Sequence, residues 1–117
     1  MRALGAAARK GFLARLAVRL KQDYPAEMAS LDGVPADVLA AWVDEAASFG
    51  VMRVGDVERY LEIKLATRGA FPRAARFAPH LALLEDAILD AAAKLDRIDD
   101  LMLFAREEMD VPDQTPA

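Results

Sequence analysis

The side chains able to carry acid–base or nucleophilic chemistry are few in this sequence. His80 is the only histidine, Ser30 and Ser48 are the only serines, and cysteine is absent. A chain without cysteine has neither disulfides nor thiolate metal sites, and a single histidine excludes a multi-histidine metal site. His80 follows Pro79 at the start of a predicted helix, where a lone histidine is more often a cap or packing residue than a catalyst. We therefore assign no catalytic residue, metal ligand or cofactor.

Basic side chains gather in one segment where the helical pattern breaks. Between Gly69 and His80, a glycine and two prolines interrupt the chain, which predicts an ordered loop with one helical turn. The interleaved aromatic residues raise the question of nucleic-acid binding, but the sequence pI of about 4.9 argues against it. Two interpretations stay open, namely contact with a protein partner and pairing with acids of the last helix. The basic residues at issue are Arg68, Arg73, Arg76 and His80, of which the last three are candidate partner-binding residues.

Acidic side chains gather on the last predicted helix. Asp96, Asp99 and Asp100 share one helical face, and Glu58 and Glu62 lie one turn apart on an earlier helix. Like charges at this spacing cost an exposed helix about 0.2–0.5 kcal/mol per pair. The three aspartates form either a solvated face or a patch for a partner rich in arginine and lysine, and we take them as candidate partner-binding residues.

The charge is polarised along the chain. Residues 1–21 carry six basic side chains and no acid, whereas residues 85–117 carry ten acids against three basic side chains. A basic, alanine-rich start is typical of organellar transit peptides. However, Phe12, Leu16 and Leu20 share one helical face, which favours a first helix that packs on a core. No stretch reaches the roughly 18 apolar residues that a membrane span needs.

The composition predicts an all-α protein. The chain has 117 residues, with 25 Ala and 15 Leu against 8 Val and 3 Ile, and helix formers thus outnumber strand formers. This length fits a single domain. We expect a compact bundle of about five to six helices over residues 1–110, followed by a tail at 111–117.

Proline and glycine set the predicted helix boundaries. We expect helices at 6–24, from Pro25 to Leu31, from Pro35 to Gly50, at 56–68, at 80–89 and at 91–109. Residues 80–110 contain neither glycine nor proline and could form one helix, but Asp90 before three alanines is a plausible cap, which favours two. A stripe at three- and four-residue steps predicts the buried face of the last helix, namely Leu95, Ile98, Met102, Ala105 and Met109.

Several short segments of the chain form a recognisable set, namely AASFGV at 46–51, DVERYLE at 56–62, Gly69 with Phe71, KLDR at 94–97 and the Tyr24–Pro25 stop. Together these segments resemble a family of small helical proteins encoded beside spike and effector genes in bacterial type VI secretion loci. The chain departs from the pattern at Arg53, where such proteins tend to place a capping serine or threonine. It also carries Arg73, Arg76 and Pro79–His80 where they have an acidic loop and a Pro-Trp pair.

The resemblance implies a non-enzymatic role in an effector module and transfers no catalytic residue. We therefore expect a cytoplasmic, protein-binding accessory, an adaptor or chaperone of a secreted effector, with no nucleic-acid or membrane partner. The alternative is an immunity protein that covers the active site of a cognate toxin. A small enzyme or a nucleic-acid-binding protein is less favoured. A homodimer is also open, since four methionines suit a dimer seam as well as a core, namely Met28, Met52, Met102 and Met109.

Overall fold

The computed structural model describes residues 6–31 and 33–110, with side chains from residue 10 to residue 103. These residues form six α-helices and a short 3₁₀ helix, joined by turns and loops and without a strand, which confirms the all-α prediction. The predicted tail at 111–117 lies outside the described residues. The helices are α1 (Ala6–Asp23), α2 (Pro25–Ala29), α3 (Pro35–Ser48), α4 (Val54–Ala66), α5 (Ala78–Leu84) and α6 (Ala91–Asp110), with the 3₁₀ helix at Ala75–Phe77.

Proline begins α2 and α3, and glycine ends α3. Pro25 and Pro35 occupy the first turn, where the missing N–H removes no helical hydrogen bond. After α3, Gly50 takes a φ of 82°, which allows its N–H to donate to the Ala47 carbonyl. The Val51 N–H then donates to the Ala46 carbonyl over 2.9 Å. These two bonds satisfy carbonyls at the end of the helix and turn the chain toward α4.

An arginine ends α4 where a glycine would fit more easily. Arg68 has a φ of 55°, in the left-handed region, and its N–H donates to the Leu65 carbonyl. The Gly69 N–H donates to the Lys64 carbonyl over 2.7 Å, so α4 ends in the same pair of bonds as α3. A side chain in this conformation costs roughly 1 kcal/mol. The fold therefore keeps an arginine at a position that favours glycine.

The acid-rich end of the chain forms two helices, as predicted. Asp90 caps α6, because its Oδ1 accepts the Ala93 N–H over 2.8 Å. The predicted bounds of α5, 80–89, were wrong, since the helix begins at Ala78 and ends at Leu84. It ends early because Asp86 Oδ1 accepts the Ile88 N–H over 2.8 Å and forms a turn there.

The core is built from apolar residues of every α-helix. Phe12, Leu16 and Leu20 of α1 are buried, which confirms the prediction that the first helix packs on the core. On α6, Leu95 and Ile98 are buried and Met102 packs against the core. The side chains of Ala105 and Met109 lie outside the described residues. The other fully buried apolar residues are Leu39, Ala46, Val51, Tyr60, Leu61, Leu65, Phe71, Pro72 and, on α5, Leu84.

Arg19 of α1 joins the basic start of the chain to α4. Its guanidinium donates to Glu58 Oε1 over 2.9 Å and to Glu62 Oε2, and lies 3.8 Å from Asp23. Half-exposed ion pairs of this kind contribute at most about 1 kcal/mol each. The two glutamates noted in the sequence are therefore partners of an arginine, and they link α1 to α4.

Candidate protein-binding surface

The segment between α4 and α5 is an ordered loop, which we call the arginine loop and define as residues 67–77. Thr67 Oγ1 accepts the Phe71 N–H over 3.2 Å, and the Ala74 N–H donates to the Ala70 carbonyl over 3.0 Å. From α4, Lys64 Nζ donates to the Phe71 carbonyl over 2.6 Å. The loop predicted from the proline and glycine pattern is thus present, with its one helical turn at Ala75–Phe77.

Aromatic rings form a continuous buried cluster beneath the arginine loop. Phe71 lies at its centre, with its ring centroid 5.6 Å from those of Tyr60 and Phe77, both edge-to-face. The His80 ring is perpendicular to that of Phe71, and their centroids lie 6.1 Å apart. Phe49 joins the cluster through Tyr60, with 6.4 Å between the centroids of these two rings. Each such pair contributes about 0.5–1.5 kcal/mol beyond its buried area. The cluster therefore fixes the loop to α3, α4 and α5.

Two arginines extend over this cluster into solvent. The guanidinium carbon of Arg73 lies 5.4 Å from the centroid of Phe49, and that of Arg76 lies 4.6 Å from the centroid of Phe77. Both residues are exposed, as is Arg68 at the start of the loop. An aromatic face orders a guanidinium without neutralising its charge. Within the described part of the chain, these three arginines form no ion pair.

His80 does not belong to the exposed surface. It is 6% exposed, packs edge-on against Phe71 and Phe77, and has no hydrogen-bond partner for either ring nitrogen among the described residues. Burial lowers the pKa of its imidazole below the usual value. The prediction that His80 contacts a partner does not agree with this burial. Its role is to fill the core beneath the arginine loop.

The acidic face of α6 is already partly occupied. Arg59 of α4 donates to Asp96 Oδ1 over 3.0 Å and to Asp99 Oδ2 over 2.6 Å. The hydrogen bond to Asp99 raises the pKa of the Arg59 guanidinium, so its charge is kept. The structure thus pairs Asp96 and Asp99 with Arg59, and within the described side chains no acid of α6 pairs with the arginine loop.

Asp100 faces a different part of the surface. It lines an open groove between α5 and α6, together with Pro79, Leu83, Arg97 and Leu101. We call this the α5–α6 groove. Neither Asp100 nor Arg97 has an ion-pair partner within the described residues, although the two lie three positions apart on one helix. Of the three candidate aspartates, Asp100 is therefore the one whose carboxylate has no ion-pair partner among the described side chains.

Buried charged groups beside the loop were missed in the sequence. Lys64 is 3% exposed, and its Nζ lies 2.8 Å from Glu45 Oε1 and 5.4 Å from the centroid of Trp42. The Tyr60 hydroxyl donates to the same Glu45 oxygen over 2.6 Å. Burial is the main cause that raises the pKa of the Tyr60 hydroxyl well above its usual value, and the hydrogen bond to Glu45 raises it further.

A second buried lysine lies on α6. Lys94 is 7% exposed, and its Nζ donates to the Phe49 carbonyl at the end of α3 over 2.9 Å. Both lysines stand on the apolar side of their helices. In the sequence, each of these lysines falls within the apolar stripe of its helix. A charged residue at such a position predicts a buried lysine that has a partner.

Other kinds of site have little support in the described residues. They contain no group of three or more histidine or acidic side chains arranged to hold a metal ion. In the same part of the chain, no helix is both long and apolar enough to span a bilayer. Comparison with protein-family models, with curated proteins and with solved structures gave no significant match.

Because burial lowers the pKa of His80, we expect acid to weaken the fold through this residue. The unfolded chain takes up a proton near the ordinary histidine pKa, whereas the folded chain does so only at lower pH. The free energy of unfolding should therefore fall as the pH drops below that ordinary pKa, by no more than about 1.4 kcal/mol per pH unit. Urea denaturation from pH 7 to pH 5 measures this slope. His80→Phe should reduce it, and an unchanged slope would assign the proton to another group.

Proposed function

We propose that this protein is a non-enzymatic, protein-binding accessory whose arginine loop binds an acidic surface on its partner. By its resemblance to proteins of type VI secretion loci, we further propose that the partner is a secreted effector and that the protein acts as its adaptor or chaperone. We place this activity in the cytoplasm, where an effector is held before export.

One observation carries the proposal: Arg73 and Arg76 are ordered and exposed, and neither is neutralised within the described part of the chain. Arginine is prominent among the residues that dominate binding energy at protein interfaces. A guanidinium already held over an aromatic ring loses less conformational freedom when it binds a carboxylate. The pair is therefore suited to bidentate contacts with aspartate and glutamate on another protein.

Arg68 supports the same surface in a different way. It occupies a left-handed position, at which glycine would avoid a cost of roughly 1 kcal/mol. Strain retained at an exposed charged residue favours a functional use of that residue. With Arg73 and Arg76, it places three positive charges on one short loop of a chain whose net charge is −4.

The immunity-protein alternative relies on the acidic face of α6 to cover a basic cleft in a toxin. Two of its three aspartates are already bound by Arg59, and binding a toxin through them would compete with these ion pairs. The arginine loop has no such competition. This difference favours the adaptor over the immunity protein.

The enzyme alternative requires a base beside the reacting groups. His80, the sole histidine, is buried, and its ring nitrogens have no hydrogen-bonded carboxylate among the described residues. Proton transfer to a bound substrate would need this ring to reach the surface. The geometry around His80 therefore supports packing rather than catalysis.

Charge reversal on the arginine loop tests the proposal. We expect Arg73→Glu/Arg76→Glu to weaken binding to the effector encoded beside the gene by at least about 30-fold, which is about 2 kcal/mol. Isothermal titration calorimetry with the purified effector measures the affinity. Lys10→Glu/Arg15→Glu on α1 alters the net charge equally at two other exposed residues and should change the affinity less than threefold.

Two further results separate the alternatives. If the loop variant binds as tightly as the wild type while Asp100→Lys does not, the acidic face is the contact surface and the arginine-loop proposal is wrong. Deleting the gene should abolish effector export and leave the producing cells alive, since an adaptor neutralises nothing. Growth arrest that co-expression of this protein relieves would instead identify an immunity protein.

A further inference from the structure

The α5–α6 groove combines an apolar floor with one unpaired charge of each sign. Pro79, Leu83 and Leu101 supply the apolar part, and Arg97 and Asp100 lie on α6, one turn apart. A complementary partner would therefore contribute apolar side chains, a cation to pair with Asp100 and an anion to pair with Arg97.

This pattern is complementary to itself under a two-fold axis. When two copies of a helix run antiparallel with the axis between positions 97 and 100, Arg97 of each copy faces Asp100 of the other. Two identical ion pairs form, and Leu101, next to Asp100 on the same helix, lies beside them. In a symmetric contact every residue pairing occurs twice. A surface that carries one cation and one anion can therefore neutralise both of its charges against a second copy of itself.

We infer that the α5–α6 groove is the contact face between two copies of this chain, closed by reciprocal Arg97–Asp100 ion pairs. The inference does not depend on the proposed function, because the three arginines of the arginine loop do not line the groove. A dimer formed in this way would leave Arg73 and Arg76 free to bind a partner and would present two such loops.

Single charge reversals should break the dimer. The Arg97→Asp variant carries aspartate at both positions, so aspartates of the two copies face each other across the contact. The Asp100→Arg variant carries arginine at both positions, so arginines face each other. We expect each variant to raise the dimer dissociation constant at least tenfold, as measured by sedimentation equilibrium. The double variant Arg97→Asp/Asp100→Arg exchanges the charges and should restore dimerisation to within about threefold of wild type.

Mixing the two single variants gives the sharpest test. A chain with aspartate at both positions is complementary to a chain with arginine at both, so an equimolar mixture should form heterodimers although each variant alone stays monomeric. Far-UV circular dichroism checks that both variants are folded; if either is not, the pair Arg97→Ser and Asp100→Ser takes their place, and each should weaken the dimer.

Three results would overturn the inference. The wild type could remain monomeric up to its solubility limit, the single reversals could dimerise as well as the wild type, or the mixed variants could fail to associate. The second of these would place a dimer contact on another face of the molecule. As a matched control, Lys10→Glu on α1 should leave the dissociation constant unchanged.

Discussion

Replacing Phe71 with alanine is expected to lower the free energy of unfolding by about 4 kcal/mol, within the range of 3–5 kcal/mol for large aromatic truncations in a core. Phe71 is fully buried and contacts the rings of Tyr60, Phe77 and His80. Its removal leaves a cavity at the centre of the aromatic cluster. Urea denaturation followed by fluorescence of the single tryptophan, Trp42, measures the loss.

Phe71→Leu is the matched control for this prediction. Leucine keeps the position apolar and much of its volume but removes the edge-to-face contacts, so we expect a smaller loss, about 1.5 kcal/mol. If alanine cost no more than leucine, Phe71 would not be the centre of the cluster. The alanine variant should also weaken partner binding, since Arg76 extends over the ring of Phe77, which Phe71 holds in place.

Replacing Lys64 with methionine is expected to destabilise the fold by about 3 kcal/mol. The ammonium group of Lys64 contacts Glu45 and the Phe71 carbonyl from a position that is nearly closed to solvent. Methionine fills a similar volume but leaves both acceptors without this donor, and breaking a buried ion pair from one side typically costs 3–5 kcal/mol. Chemical denaturation at pH 7 provides the measurement.

A double-mutant cycle separates the ion pair from the packing. Glu45→Gln combined with Lys64→Met should cost less than the sum of the single variants by at least about 1 kcal/mol, because the neutral glutamine no longer needs a cation. Simple additivity would show that Lys64 acts mainly through the Phe71 carbonyl. In Glu45→Gln alone, the Tyr60 hydroxyl keeps a hydrogen-bond acceptor, but the buried Lys64 ammonium loses its counter-ion, so we expect that variant to be destabilised as well.

Most of the fold was predictable because its determinants are local. The prolines at the starts of α2 and α3, Gly50 after α3 and the Asp90 cap of α6 act within one or two helical turns. The apolar spacing of α1 likewise indicated its buried face. The bounds of α4 and α5 were less accurate, since α4 ends through a left-handed Arg68 and the turn at Asp86 ends α5 before Asp90.

The surface was less predictable because its determinants are distant in the sequence. Arg59 lies 37 residues from Asp96, and Lys94 lies 45 residues from Phe49. Helical periodicity says which residues share a face of one helix, but it says nothing about which helices are neighbours. Hence Arg73 and Arg76 were predicted as exposed contacts, whereas the pairing of Asp96 and Asp99 with Arg59 and the burial of His80 were not.

The supports of the arginine loop and its exposed positions are different residues. Thr67, Phe71 and Phe77 hold the segment, while Arg73 and Arg76 contribute little to the buried structure beneath them. Randomising the latter two positions should therefore yield a library of folded variants with altered partner preference. The molecule could thus serve as a scaffold for engineered binders, with no change to its hydrophobic interior.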